Sequence, residues 1–168
     1  MMKAKIQKAF NKHLNAESFS AHLYMSMSAY FDSVNMKGMA NWMRLQADEE
    51  SMHARKFFDY ILSRGGKVNL DKIDAPQIEW KSPLDAFESA YEHEKLITAK
   101  INGLVDLSLA ESDHASNAFL QWFVTEQVEE EESVSEIVDQ LKLVGDAPGA
   151  LFMLDKELNQ RSPTPAAE

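Results

Sequence analysis

The sequence predicts an all-α chain: a four-helix bundle with one long crossover and a short C-terminal fifth helix. Three observations carry this. Glycine and proline are scarce (6 and 5 residues), so the breaks between long uninterrupted stretches stand out. Within those stretches the apolar residues recur three and four positions apart, the spacing of one helix face. Two breaks are short and the one between them is long, which decides how the helices pair.

Residues 5–33 contain neither glycine nor proline and read as the first helix. Gly38 lies in the junction that follows. Residues 39–64 read as the second helix, stopped by Gly65 and Gly66 as glycine commonly stops a helix. Residues 65–82 are polar, contain Pro76 and form the long connection. Ser82, Pro83 and Asp85 open the third helix with a hydroxyl cap, a proline in the first turn and an acid beside the helix dipole. That helix runs to about Glu111 and turns at Ser112 and Asp113. The fourth continues to about Leu143, where Gly145 to Pro148 interrupts it, and the fifth covers about 149–159. The long helices, at about 26–31 residues each, are roughly 40 Å long. Short junctions make the first two and the last two antiparallel hairpins, and the segment 65–82 is long enough to run the bundle's length. Residues 1–160 form one domain, and 161–168, with Pro163 and Pro165, read as a disordered tail.

Acidic residues outnumber basic ones, and 17 − 27 gives a formal charge of −10. That charge opposes nucleic acid and anionic membrane as partners and favours cations. The absence of cysteine excludes disulfides, zinc–thiolate sites, rubredoxin-type iron centres and thiol catalysis. No long apolar run opens the chain, so neither a signal peptide nor a membrane span is expected, and the cytoplasm is the default location.

The informative residues are polar ones where the core should be. The first helix's stripe is Phe10, Leu14, Glu17, Ala21, Tyr24, Ser28 and Phe31. The second gives Met39, Met43, Gln46, Glu50, His53, Phe57 and Ile61. The third includes Glu94 between Tyr91 and Ile97, and the fourth includes Gln127 and Glu130 between Phe123 and Val134. Antiparallel packing can bring Glu17, Glu50, His53, Glu94, Gln127 and Glu130 to one level. Burying one uncompensated carboxylate costs roughly several kcal/mol. Two divalent cations would balance four glutamates. Glu50 and His53, three apart, leave the same helix face and can share an ion. Oxygen-rich ligands with one imidazole suit iron or manganese. Any one inward glutamate is more simply a surface residue out of phase, and an E-x-x-H pair alone is weak; contributions from four helices make the set specific.

The chain resembles a bacterial non-haem ferritin over almost its whole length. The residues that carry the resemblance are Glu17 and Tyr24, the run Asp48 to His53, Glu94 within His93 to Ile97, and the run Phe119 to Gln127 followed by Glu129 and Glu130. Gln127 and Glu130 stand where other di-iron bundles have a second E-x-x-H. The resemblance implies a ferritin-like fold and a catalytic subunit that oxidises Fe²⁺ with O₂ or peroxide and deposits ferric mineral. One iron would take Glu17, Glu50 and His53; the other would take Glu94 and Glu130, with Glu50 bridging. Gln127 would hydrogen-bond a bound water or oxygen species. Tyr24 would hydrogen-bond the centre, or it is an ordinary core tyrosine. Trp122, nearby, is better explained as core packing. Glu49, Glu126 and Glu129 with Glu130 resemble a third iron site, or form a solvated acidic face. Storage implies a hollow homo-oligomeric shell of 24 subunits, with the fifth helix (Ala150, Leu151, Phe152, Leu154, Leu158) packing at a symmetry axis. Seven acids and no Lys or Arg between residues 126 and 139 would help line its inner wall.

Competing readings remain. A bacterioferritin-like protein would bind haem, but Ser51 stands where that family has methionine. A rubrerythrin-like peroxidase or di-iron oxygenase is opposed by the missing second E-x-x-H and the missing cysteine. A scaffold subunit without an oxidation centre would lack the glutamates that are present here. Haem is therefore not expected.

Overall fold

In the computed structural model, which describes residues 1–163, the four long apolar-striped stretches are helices: α1 (Ala4–Ser33), α2 (Lys37–Ser63), α3 (Pro83–Ala110) and α4 (His114–Val144). A short α5 (Pro148–Leu158) follows. Residues 164–168, most of the expected tail, lie outside the described residues. The fold is the all-helical bundle, with one long crossover and a short fifth helix, that the stripes and breaks predict. One boundary differs. Gly38 is inside α2 rather than in the junction, which is confined to residues 34–36. A β-carbon at Gly38 would lie 1.6 Å from the Asp155 carbonyl oxygen, so this glycine is needed for close approach by α5 and not to break the helix.

Capping explains where the elements begin. Ser82 accepts a hydrogen bond from the Asp85 amide at 3.1 Å, and Pro83 needs no partner in the first turn of α3. Asp113 caps α4 by accepting from the Ser116 amide at 3.1 Å, and Arg64 pairs with the same carboxylate. α2 has no side-chain cap of its own; Asp155 of α5 accepts from the Met39 amide at 2.9 Å. The α4 helix stops at Gly145, whose φ of +53° suits a residue without a β-carbon.

The crossover runs along α1. Gln7 and Asn11 hold the backbone of Lys67, Asn11 accepts from the Asn69 amide, Asn15 reaches the Lys72 carbonyl and Ser26 the Gln77 carbonyl. These partners advance in step from the start of α1 towards its end, where Trp80 packs on Tyr30 at 5.3 Å between ring centroids. The segment thus carries the chain to the opposite end of the bundle, and α3 starts parallel to α2.

The apolar core is in two parts. One holds Phe10, Leu14, Phe57, Ile61, Ile97, Ile101, Leu120 and Phe123. The other holds Met27, Phe31, Met39, Met43, Phe87, Val134, Ile137 and Leu141. In sequence, Glu17, Gln46, Glu50, His53, Glu94, Gln127 and Glu130 fall between these two sets, so a polar layer divides the core. α5 packs on α2 and α4 through buried Leu154 and Leu158, while Phe152 and Met153 face outwards. Arg161, predicted to start the disordered tail, instead lies over the Trp42 ring at 4.4 Å.

Candidate metal centre

Glu17, Glu50, His53, Glu94, Gln127 and Glu130 are all at most 5% exposed. On the α1–α2 side, ligand atoms of Glu17, Glu50 and His53 lie within 4.8 Å of one another. The spacing of Glu50 and His53 brings His53 Nδ1 to 3.5 Å from Glu50 Oε2. His13, one turn before Glu17, lies with Nε2 2.6 Å from Glu17 Oε1. Glu17 Oε2, Glu50 Oε2 and both ring nitrogens of His53 are buried with no hydrogen-bond partner among the described residues. Each unsatisfied buried polar atom costs about 1–3 kcal/mol, so this convergence fits a site for a cation.

The α3–α4 side is different. Tyr24 donates to Glu94 Oε1, and Gln127 Nε2 donates to Glu94 Oε2 at 3.2 Å and to Thr98 Oγ1 at 3.2 Å. Gln46 Nε2 donates to Glu130 Oε2. Each carboxylate here already has a neutral donor.

A second group of possible ligands, His53, Glu126 and Glu130, has atoms within 4.8 Å of one another. His53 Nε2 is 3.8 Å from Glu126 Oε1. Glu49 is directed to Arg161, and Glu129 is exposed and outside both groups. Trp122 is half-buried and meets the His53 ring edge-on at 5.4 Å.

Crowding sets the protonation of the centre. Burial raises Glu94 to about 8, with the charge of Glu50 adding to it, and burial with the charge of Glu94 raises Glu130 to about 8. Burial also carries Glu50 well above the usual carboxylate range, helped by Glu17 and Glu130. Glu17 goes the other way: burial opposes its charge, but His13 and then His53 outweigh burial and lower it to about 2. Burial disfavours a charged His53, yet Glu126, Glu50 and Glu17 together raise it well above its ordinary value. Burial and the Glu94 and Glu50 charges hold the Tyr24 hydroxyl protonated, with its pKa well above the normal range. Cations can therefore enter only as protons leave.

A family model described as the ferritin-like domain matches residues 7–144, which include every one of these candidate residues. The chain belongs to the ferritin family. It is 44% identical over 161 residues to a bacterial non-heme ferritin of Bacteroides fragilis (strain 638R), covering 96% of this chain and 100% of that one. It is 39% identical over 162 residues to a bacterial non-heme ferritin of Staphylococcus epidermidis (strain ATCC 35984), covering 96% and 98%. Among solved structures it superposes on an engineered closed form of the Archaeoglobus fulgidus ferritin with a TM-score of 0.97 at 50% identity, covering 98% and 100% of the two chains. The open-pore ferritin of the same archaeon gives a TM-score of 0.95 at 50% identity, covering 96% and 99%.

Three parts of this ferritin's centre escape a reading of the stripes. His13 sits four residues before Glu17, a spacing that signals a shared face, but an inward histidine usually reads as core. Gln46 is on the second stripe, yet nothing in the sequence says that it faces Glu130. Arg161 lies beyond the last helix, where no periodicity applies. No helix among the described residues is long and apolar enough to cross a membrane.

Proposed function

We propose that the chain is a ferroxidase-active subunit that stores and detoxifies iron. The observation that carries this is the convergence of one ligand atom each from Glu17, Glu50 and His53, residues with buried atoms that have no hydrogen-bond partner among the described residues, in a layer between two apolar clusters. Iron is the substrate. Glu17, Glu50 and His53 receive one Fe²⁺; Glu94 and Glu130 receive another, and Glu50 lies between the two. Two Fe²⁺ give up two electrons. O₂ takes them with two protons to form hydrogen peroxide, or hydrogen peroxide takes them with two protons to form two waters.

This chain's residues position the ions and handle protons. Glu94 and Glu130, at about 8, are mostly protonated at neutral pH and release protons as iron binds. Gln127 and Tyr24 hold the Glu94 carboxyl in place. Glu126 and Glu130, beside the His53 ring, offer a third cation position, to which Glu49 and Glu129 would be added by side-chain movement. The ferric product hydrolyses and leaves for a mineral inside a hollow shell of 24 subunits in the cytoplasm, without haem. Outward-facing Phe152 and Met153 on α5 supply apolar surface for a symmetry contact.

Fe²⁺ added aerobically is expected to give an absorbing ferric species, saturating near about two to three irons per chain before mineral grows. Rapid oxidation that survives in the Glu50→Ala/Glu94→Ala variant would sink the assignment.

A further inference from the structure

Arg161 touches two different parts of the centre's surroundings. Its Nη2 lies 2.5 Å from Glu49 Oε2. Its Nη1 donates to Gln46 Oε1 at 2.9 Å, and the Gln46 amide donates from its other end to Glu130. The guanidinium is also stacked on Trp42, 4.4 Å from the ring centroid, and reaches the Trp42 carbonyl at 3.4 Å. Trp42, Gln46, Glu49 and His53 are spaced four, three and four apart, so they form one stripe of α2. The side chains of Arg161 and Glu49 are only 23% and 13% exposed, so solvent does little to weaken their pairing.

The backbone before Arg161 is fixed as well. Asp155 caps α2 at Met39, Gly38 admits the α5 backbone, and the Asn41 side chain donates to the Arg161 carbonyl at 3.4 Å. The cation is thus presented by a docked segment. An arginine fork satisfies one carboxylate oxygen and one amide oxygen at a fixed angle, which a lysine cannot copy.

We propose that Arg161 is a positioning residue that occupies Glu49 until a third cation arrives and that, through Gln46, aims an amide donor at Glu130. The inference rests on the proposed cation centre. In the metal-free chain the guanidinium takes the place of a cation on Glu49. An ion arriving beside Glu126 and Glu130 must compete with Arg161 to recruit Glu49. The third position is therefore weaker than the paired one, a property that suits transit rather than retention.

The test is calorimetric titration of the assembled, metal-free protein with Zn²⁺, a redox-silent probe, in wild type, R161Q, R161K, E49Q and R161Q/E49Q. The third binding event is expected to tighten about tenfold in R161Q, less in R161K, and not at all when E49Q is added, with the event carried by Glu17, Glu50 and His53 unchanged. A crystal of the Zn²⁺-loaded wild type is expected to show Glu49 turned from Arg161 towards the third ion. A third event that is unchanged or weaker in R161Q, with the tight pair intact, would overturn this inference alone. So would Zn²⁺ in the third position with Glu49 still on Arg161. Absence of every binding event in wild type would overturn the metal centre and this inference with it. A merely structural Arg161 would lower the thermal midpoint of R161Q and R161K without changing Zn²⁺ affinity; that pattern also counts against the inference.

Discussion

The α1–α2 side of the centre and its α3–α4 side use the same ligand chemistry and satisfy it differently. On the first, Glu17, Glu50 and His53 keep buried atoms with no hydrogen-bond partner among the described residues. On the second, Tyr24, Gln127 and Gln46 already donate to Glu94 and Glu130. Both sides must release protons before cations bind. Only on the first does a cation also relieve unpartnered atoms, so each ligand gains more there. The α1–α2 side should fill first and hold more tightly, and the α3–α4 side should be the exchangeable one.

The largest expected effect tests this directly. His53→Ala removes that side's imidazole ligand and should weaken the tightest Zn²⁺ event about 100-fold or more, whereas Glu94→Gln should change that event by about tenfold or less. Calorimetric titration reads both. Equal losses from the two substitutions would erase the distinction between the sides.

Much of this was legible before any coordinates. Glycine and proline punctuation with helical apolar spacing is local information, and it locates all five helices among the described residues. Glu17, Glu50, His53, Glu94, Gln127 and Glu130 stand out because each interrupts an apolar stripe. What a stripe cannot give is the partner opposite. Which side chain faces Glu130 or Glu49 depends on how helices are rotated and staggered, and those are set by packing across the whole bundle. Gln46 and Arg161 became visible only there. Gly38 shows the same limit in the backbone: glycine suggests a break, but the reason for it is the Asp155 carbonyl of α5, more than a hundred residues later. Glu129 shows it in reverse, since its spacing from Glu126 is right but it faces solvent.

The next effect concerns pH. Glu94 and Glu130 are raised to about 8, so between the ordinary carboxylate range and pH 8 the folded, metal-free chain holds protons that the unfolded chain has lost. Stability must then fall as pH rises through this window; the raised pKa values of Glu50 and His53 act in the same direction. The expected loss is roughly 2 kcal/mol between pH 6 and pH 7. Glu17, lowered to about 2, contributes stability that disappears only in acid, as pH falls below the ordinary carboxylate range, and so lies outside this window. Thermal midpoints of the metal-free protein should decline from pH 6 to pH 8, less so in E94Q/E130Q, and Zn²⁺ should reverse the trend. A midpoint that rises with pH in the absence of metal would show that the α3–α4 carboxyls are already ionised.

The smallest expected effect isolates one donor. Tyr24→Phe removes a buried hydroxyl from Glu94 and leaves the ring in place. A carboxylate offers about four lone-pair sites, so Tyr24 and a cation can share Glu94 and need not compete for it. The hydroxyl favours the ionised form, so without it Glu94 holds its proton more firmly. At pH 7 the second Zn²⁺ event should weaken about fivefold, the worth of one hydrogen bond of about 1 kcal/mol. At pH 9, where more of Glu94 is ionised with or without Tyr24, the difference should shrink, and the tightest event should be unaffected at either pH. Tighter second binding in the variant at both pH values would mean that donor and cation exclude one another, and the α3–α4 side would then be the weaker because its donors must leave.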